Sequence, residues 1–216
     1  MRPLSRALTA VGFFLLFAAL LMTVVETAGT SADLYRELQL ENGLPDAAGL
    51  ALEEMAAIDE QLAGYLSGDA SALDGAPFND TEKLHMADVF HLFGLLRAVR
   101  NILLGAAAAL LLAGLLLARG RGALFGSLVG LLLLALPLIA LGIWAAIDFT
   151  SAFDAFHRAL FSNDLWQLNP GTDLLIRMLP ERFFSDFAAV VAVRAGLFIG
   201  AVPLALFGAR FGRRFA

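Results

Sequence analysis

Four long apolar stretches set the limits of what this chain can fold into. Ala7–Val25, Ile102–Ala118, Ala123–Ile147 and Phe187–Ala209 are each long enough to cross a hydrocarbon core of ~30 Å as a helix. Hydrophobic residues make up 59% of the 216, and the mean hydropathy is +0.76, too apolar for a water-soluble domain of this length. Pro137 and Pro203 fall inside the third and fourth stretches, where neighbouring helices of a bundle tolerate them. The expected fold class is therefore mainly α and membrane-integral: a four-transmembrane-helix bundle with a small helical extracytoplasmic cap.

Charge gives the orientation. Arg2, Arg6, Arg119, Arg121, Arg210, Arg213 and Arg214 flank the spans on one side, and no acid accompanies them. All 20 acidic residues lie between Glu26 and Asp186, on the other side. The positive-inside rule then puts both termini in the cytoplasm and turns the polar segments Glu26–Arg100 and Asp148–Asp186 outward. Five regions follow: a cytoplasmic start and first span over 1–27, an outer cap over 28–100, and the second and third spans over 101–147. An aromatic outer loop over 148–186 and a fourth span with a basic tail over 187–216 complete the chain. The expected location is a membrane whose inner face is the cytoplasmic one. The first span has a basic start and a weak small-residue site near Thr30-Ser31-Ala32, but its apolar run exceeds a signal-peptide core and Glu26 interrupts the approach, so it reads as uncleaved. With no cysteine, the chain has neither disulfides nor a thiol nucleophile, and nothing in its composition suggests a nucleic-acid partner.

Within the cap, Leu34–Leu40 alternates partly at period two and suggests a short strand. Asp46–Leu66 reads as a helix stopped by Gly68, and a second helix opens near Asn79, with Asn79 and Glu82 spaced as a capping pair. That helix runs on through His85 and His91 towards the second span. In the other outer loop, Phe149, Phe153, Phe156 and Leu160 recur at helical spacing, as in a helix lying in the head-group plane. Asn169-Pro170-Gly171 ends this element. Thr172-Asp173 can cap a short helix that Pro180 stops.

His85 and His157 are the first candidates for chemistry, because imidazole exchanges a proton near neutral pH and both lie on the outward side. Glu82 and Asp88 stand three residues either side of His85, and Asp154 three before His157, so each ring has a carboxylate that could orient it. Spacing alone fits equally a solvated helix face. His85, Asp88 and His91 also form an i, i+3, i+6 row that raises a metal alternative, although such a row drifts around a helix. Arg158 and Arg194 are candidates for an anion or oxyanion partner, beside Arg97 and Arg100. Arg194, about 10 Å into the fourth span at ~1.5 Å per residue, faces a cavity or an anion, or else snorkels outward.

Phe78-Asn79 leading to Glu82-x-x-His85-Met86-x-Asp88-Val89 resembles a bacterial membrane family, the lipoprotein intramolecular transacylases (Lit). Phe156-His157 with Phe161, Trp166, Asp173-Leu174-Leu175-Ile176, Leu179-Pro180 and Phe183-Phe184 carries the second half of that resemblance, and Tyr65-Leu66-x-Gly68 also fits. A lysine often follows the Asp-Val pair in that family; Phe90-His91 stands here instead, and no role carries over to His91. The resemblance implies an enzyme that moves the sn-2 acyl chain of a diacylglyceryl-cysteine lipoprotein from glycerol oxygen to the cysteine's α-amino group. It implies lipoproteins and membrane lipids as partners, and no cofactor. His85 and His157 would be catalytic, with His85 the expected base and His157 assisting the leaving group, or the reverse. A metal-dependent lipid hydrolase using His85, Asp88 and His157, and a non-enzymatic four-span scaffold, are the competing readings. Oligomeric state leaves no trace in the sequence.

Overall fold

The computed structural model describes residues 3–117 and 122–211. Arg2, Arg119, Arg121, Arg213 and Arg214, five of the cations that set the orientation, lie outside them. Among the described residues every regular element is a helix. Four are long and apolar enough to cross a membrane: α1 (Pro3–Gly29), α5 (Asp80–Leu117), α6 (Ala123–Ile147) and α9 (Glu181–Phe211). The shorter ones are α2 (Ala32–Glu41), α3 (Leu44–Ala48), α4 (Leu52–Ser67), α7 (Phe149–Leu160) and α8 (Leu174–Met178). The second cap helix, expected to run towards the second span, continues into it as the single helix α5. At ~1.5 Å per residue α5 is about 57 Å long, nearly twice a ~30 Å core, so its polar first half is not spanning segment.

Contacts divide the chain into two units. One holds Met1–Val25, Leu96–Gly142 and Ala192–Ala216. Here α1 is approached by α5 and α6 at glycines. A Cβ added at Gly130 would sit 2.7 Å from the backbone nitrogen of Phe14, and one at Gly114 2.8 Å from Cγ2 of Thr9. Small residues let membrane helices approach this closely, where dispersion rather than expulsion of water holds them together. Thr9 is buried in this contact, and its hydroxyl donates back to the carbonyls of Ser5 and Arg6. Leu132, Leu136, Ile139 and Ile143 of α6 are exposed, as lipid-facing residues are.

The other unit holds Glu26–Leu95 and Ile143–Val191. Its apolar core gathers Leu34, Tyr35 and Leu38 of α2, Met55, Ile58 and Leu62 of α4, Met86 of α5, Leu175 and Met178 of α8, and Phe183 of α9. The strand expected over Leu34–Leu40 is a helix. Ser31 caps it, accepting from the Leu34 N–H at 3.2 Å, and the buried residues Leu34, Tyr35 and Leu38 fall on one helical face. Leu34 and Leu38, four residues apart, fit either structure; the buried Tyr35 between them decides it. The helix expected over Asp46–Leu66 is two, because Gly49 takes φ +71°, a left-handed turn that closes α3. Gly68 (φ +124°) stops α4 as expected.

Candidate active site

His85 sits in the second turn of α5, and that helix start is heavily anchored. Asn79 and Glu82 form a reciprocal capping box: the Asn79 N–H donates to Glu82 Oε2 at 2.7 Å, and the Glu82 N–H to Asn79 Oδ1 at 3.0 Å. The second carboxylate oxygen of Glu82 accepts from the Leu175 N–H at 2.5 Å. One buried carboxylate therefore caps α5 and also satisfies the first turn of α8. Asp173 stands at the N-cap position of α8, but its side chain bonds elsewhere, to the Asn79 amide at 2.9 Å, the Asn169 N–H at 2.7 Å and the Thr172 hydroxyl at 2.8 Å. The α5 start, one residue before His85's own turn, is thus tied to the loop that follows α7.

His157 lies near the end of α7, which opens on Asp148 accepting from the Ser151 N–H at 3.0 Å. Its Nδ1 is 2.8 Å from the carbonyl oxygen of Phe153, one turn back. A carbonyl only accepts, so Nδ1 carries the proton and Nε2 of the neutral ring keeps its lone pair. The indole of Trp166 stacks on the imidazole at 4.9 Å and 25°, while Phe153, Phe156 and Phe161 surround the remainder.

The two imidazoles meet. Their centroids are 6.3 Å apart, and the Phe161 ring touches both, at 5.3 Å from His85 and 5.7 Å from His157. Each residue is 8% exposed, and Nδ1 of His85 is buried with no hydrogen-bond partner. Burial, with the neighbouring His157 adding to it, pushes the His85 ring down to about 4, and Asp88 only partly opposes this. Burial also lowers His157, against the opposite pull of the Phe153 carbonyl and of Asp154. Both rings are therefore neutral at pH 7. Next to them the apolar side of α7 opens outward, with Phe156 55% and Leu160 43% exposed.

The remaining candidates separate. Asp88, one turn beyond His85, accepts a hydrogen bond from the Asn163 amide at 2.8 Å. Asp154 pairs with Arg158 at 3.4 Å on the exposed side of α7, so the orienter of His157 is a main-chain carbonyl and not this carboxylate. Glu82 holds backbone rather than a ring. Arg194, Arg97 and Arg100 belong to the other unit. His91 is exposed and rests on Phe90. No three histidine, aspartate or glutamate side chains among the described residues come together as a metal-ligand set, so His85, Asp88 and His157 do not converge as one. Sequence reasoning missed the Phe153 carbonyl, which leaves no residue-type signal, and Asn163, whose Asn-Asp pair reads only as a turn.

Comparison with known proteins identifies the family and the fold. The sequence model for lipoprotein intramolecular transacylase Lit matches residues 10–184. The solved structure of the membrane-integral lipoprotein intramolecular transacylase Lit from Bacillus cereus superposes with a TM-score of 0.78 at 25% identity, covering 98% of each chain. Variants of that protein with one histidine replaced also match at 25% identity: the alanine form has a TM-score of 0.72 over 98% of this chain and 96% of its own, the arginine form 0.71 over 95% and 93%. No curated protein sequence matches the chain. A family match across more than three quarters of the sequence, together with a shared fold from end to end, places this chain in the lipoprotein intramolecular transacylase (Lit) family.

Proposed function

We propose that the chain transfers an acyl chain within a diacylglyceryl-cysteine lipoprotein, from the sn-2 glycerol oxygen to the α-amino group of the same cysteine. The reaction would take place at the outer face of a bacterial cytoplasmic membrane. Family membership supports the reaction class. The observation that carries the chemistry is the pair of buried, neutral imidazoles 6.3 Å apart at the foot of an exposed apolar helix face. The outward orientation rests on the partition of charge along the sequence.

The tautomer suggests which ring does what. An α-amino group titrates near ~7.7–8.0, so at neutral pH much of it must lose a proton before it can attack. His157 has its lone pair at Nε2 and an orienting carbonyl behind Nδ1, the arrangement of a general base. His85, more strongly depressed, is a poorer base; its neutral ring suits donation to the ester carbonyl as negative charge develops there. The proton held by His157 then passes to the departing glycerol oxygen. The second proton that nitrogen sheds as the amide forms is taken by the freed His157 and released to water. Of the two orders the sequence leaves open, this is the one with His157 as the base in place of His85. Nucleophile and ester belong to one molecule, so no enzyme nucleophile is required, and positioning supplies much of the rate.

Asp88, Asp154, Glu82 and Arg158 are assigned positioning or structural parts only, and Arg194 none. Mass spectrometry of a reporter lipoprotein, co-expressed with this protein, tests the reading. The acyl chain is expected on nitrogen with a free glycerol hydroxyl. An unchanged diacylglyceryl product with well-folded protein would overturn it, and His157→Gln should abolish the shift.

A further inference from the structure

The segment after α7 does more than join it to α8. Asn163 bends it, its Oδ1 accepting from the Leu165 N–H at 3.1 Å, and pins it to α5 through Asp88 at 2.8 Å. Gln167 closes the far side on Asp164 at 3.0 Å. The outcome is that one face of Trp166 lies on His157, at 4.9 Å and nearly parallel. An aromatic belt would turn such a ring outward. An indole face attracts a cation through its quadrupole in addition to the stacking it gives a neutral ring, and the extra attraction grows as water is excluded. His157 is buried, and no carboxylate bonds to it. The titratable groups that act on it are His85 on α5 and Asp154 on its own helix; Asp88 acts on His85, and Arg158 on Asp154. Asp88 is engaged by Asn163 and Asp154 by Arg158. The Phe153 carbonyl and Asp154, the latter from within its pair with Arg158, also favour the charged ring, against its burial.

We propose that Trp166 is a positioning residue for the transfer reaction: its indole face stabilises the imidazolium of His157, and the Asn163–Asp88 bond holds it there. The inference rests on His157 acting as the base. It accounts for how a buried ring whose hydrogen-bond partner is a main-chain carbonyl accepts a proton in a largely apolar site. It also assigns the loop between α7 and α8 a part in setting the ring's basicity.

Carbon-13-labelled histidine in the micelle-solubilised protein tests this without turnover. The ring resonances of wild type, Trp166→Phe and Trp166→Leu are followed against pH, with exposed His91 as internal reference. The Leu variant should lower the His157 midpoint by about one pH unit, the Phe variant by well under half of that. In the lipoprotein assay the Leu variant should lose roughly 3–10-fold in kcat and shift its acid limb with the resonance, while Phe restores most of the rate. An unchanged His157 midpoint in the Leu variant, with the His85 and His91 signals undisturbed, overturns the inference. A lowered midpoint that the acid limb does not follow overturns instead the reading of His157 as the base.

Discussion

A neutral, buried imidazole has a defined cost, and its sign is testable. Folding lowers the proton affinity of both His85 and His157, so the folded state excludes protons that the unfolded chain binds near ~6.5. Their contribution to stability is present above that value and is lost as pH falls towards about 4, the point to which His85 is pushed. Unfolding midpoints in detergent should therefore drop between pH 6.5 and 4, and less steeply in His85→Phe. Activity follows the same sign: the acid limb of kcat/KM should have its midpoint below ~6.5 rather than above it. Glu82 is a different kind of residue. Its two oxygens hold the Asn79 and Leu175 N–H groups, so Glu82→Ala leaves both unpaired and should cost about 1–3 kcal/mol for each buried group. A thermal-shift measurement checks this, and Glu82→Gln, which keeps one acceptor, should recover part of the loss.

Two helix pairs make opposite demands on their contacts. Between α2 and α4, the Gln39 amide donates to Asp59 Oδ1 at 2.9 Å, while Gln39 Oε1 and Asp59 Oδ2 stay buried without partners. A protonated Asp59 would satisfy both, pairing acid with amide, and burial pushes this carboxyl up to about 7 against the pull of Gln39 and Arg36. Here the folded state holds the extra proton, so the pair's stability is complete below ~3.9 and fades as pH rises through about 7, opposite in sign to the histidines. Asp59→Asn should flatten that decline in unfolding curves from pH 4 to 7. The α1–α6 pair depends instead on missing atoms. Gly130→Ala drives a methyl against the Phe14 backbone and should destabilise by roughly 1–3 kcal/mol, whereas Gly142→Ala on the same helix enters open space and should be neutral. At this scale the sequence was legible where period and capping agreed, as in the Asn79–Glu82 box and the α7 stripe of Phe149, Phe153 and Phe156. It failed over Leu34–Leu40, where two leucines matched either period, and at Gly49, whose left-handed turn split one expected helix. The meeting of His85 and His157 is a tertiary fact; motif resemblance pointed to it, and spacing did not.

For the whole chain, the distribution of charge makes a topological claim that its lack of cysteine renders easy to check. A single cysteine at exposed Ser71 or Asp164 should react with a membrane-impermeant maleimide added to intact cells, and one at exposed Ala209 should react only after lysis. Equal labelling of all three positions would reverse or break the proposed sidedness. The Phe153 carbonyl behind His157 has a further consequence, for heredity. Every residue has a carbonyl, so no codon at position 153 can delete this group, and Phe153→Leu keeps it as surely as wild type does. Scanning mutagenesis would register the histidine and record no partner behind it. Selection can protect this half of the proposed base only indirectly, by keeping residues 153–157 helical, so proline at these positions should be excluded long before any particular side chain is required.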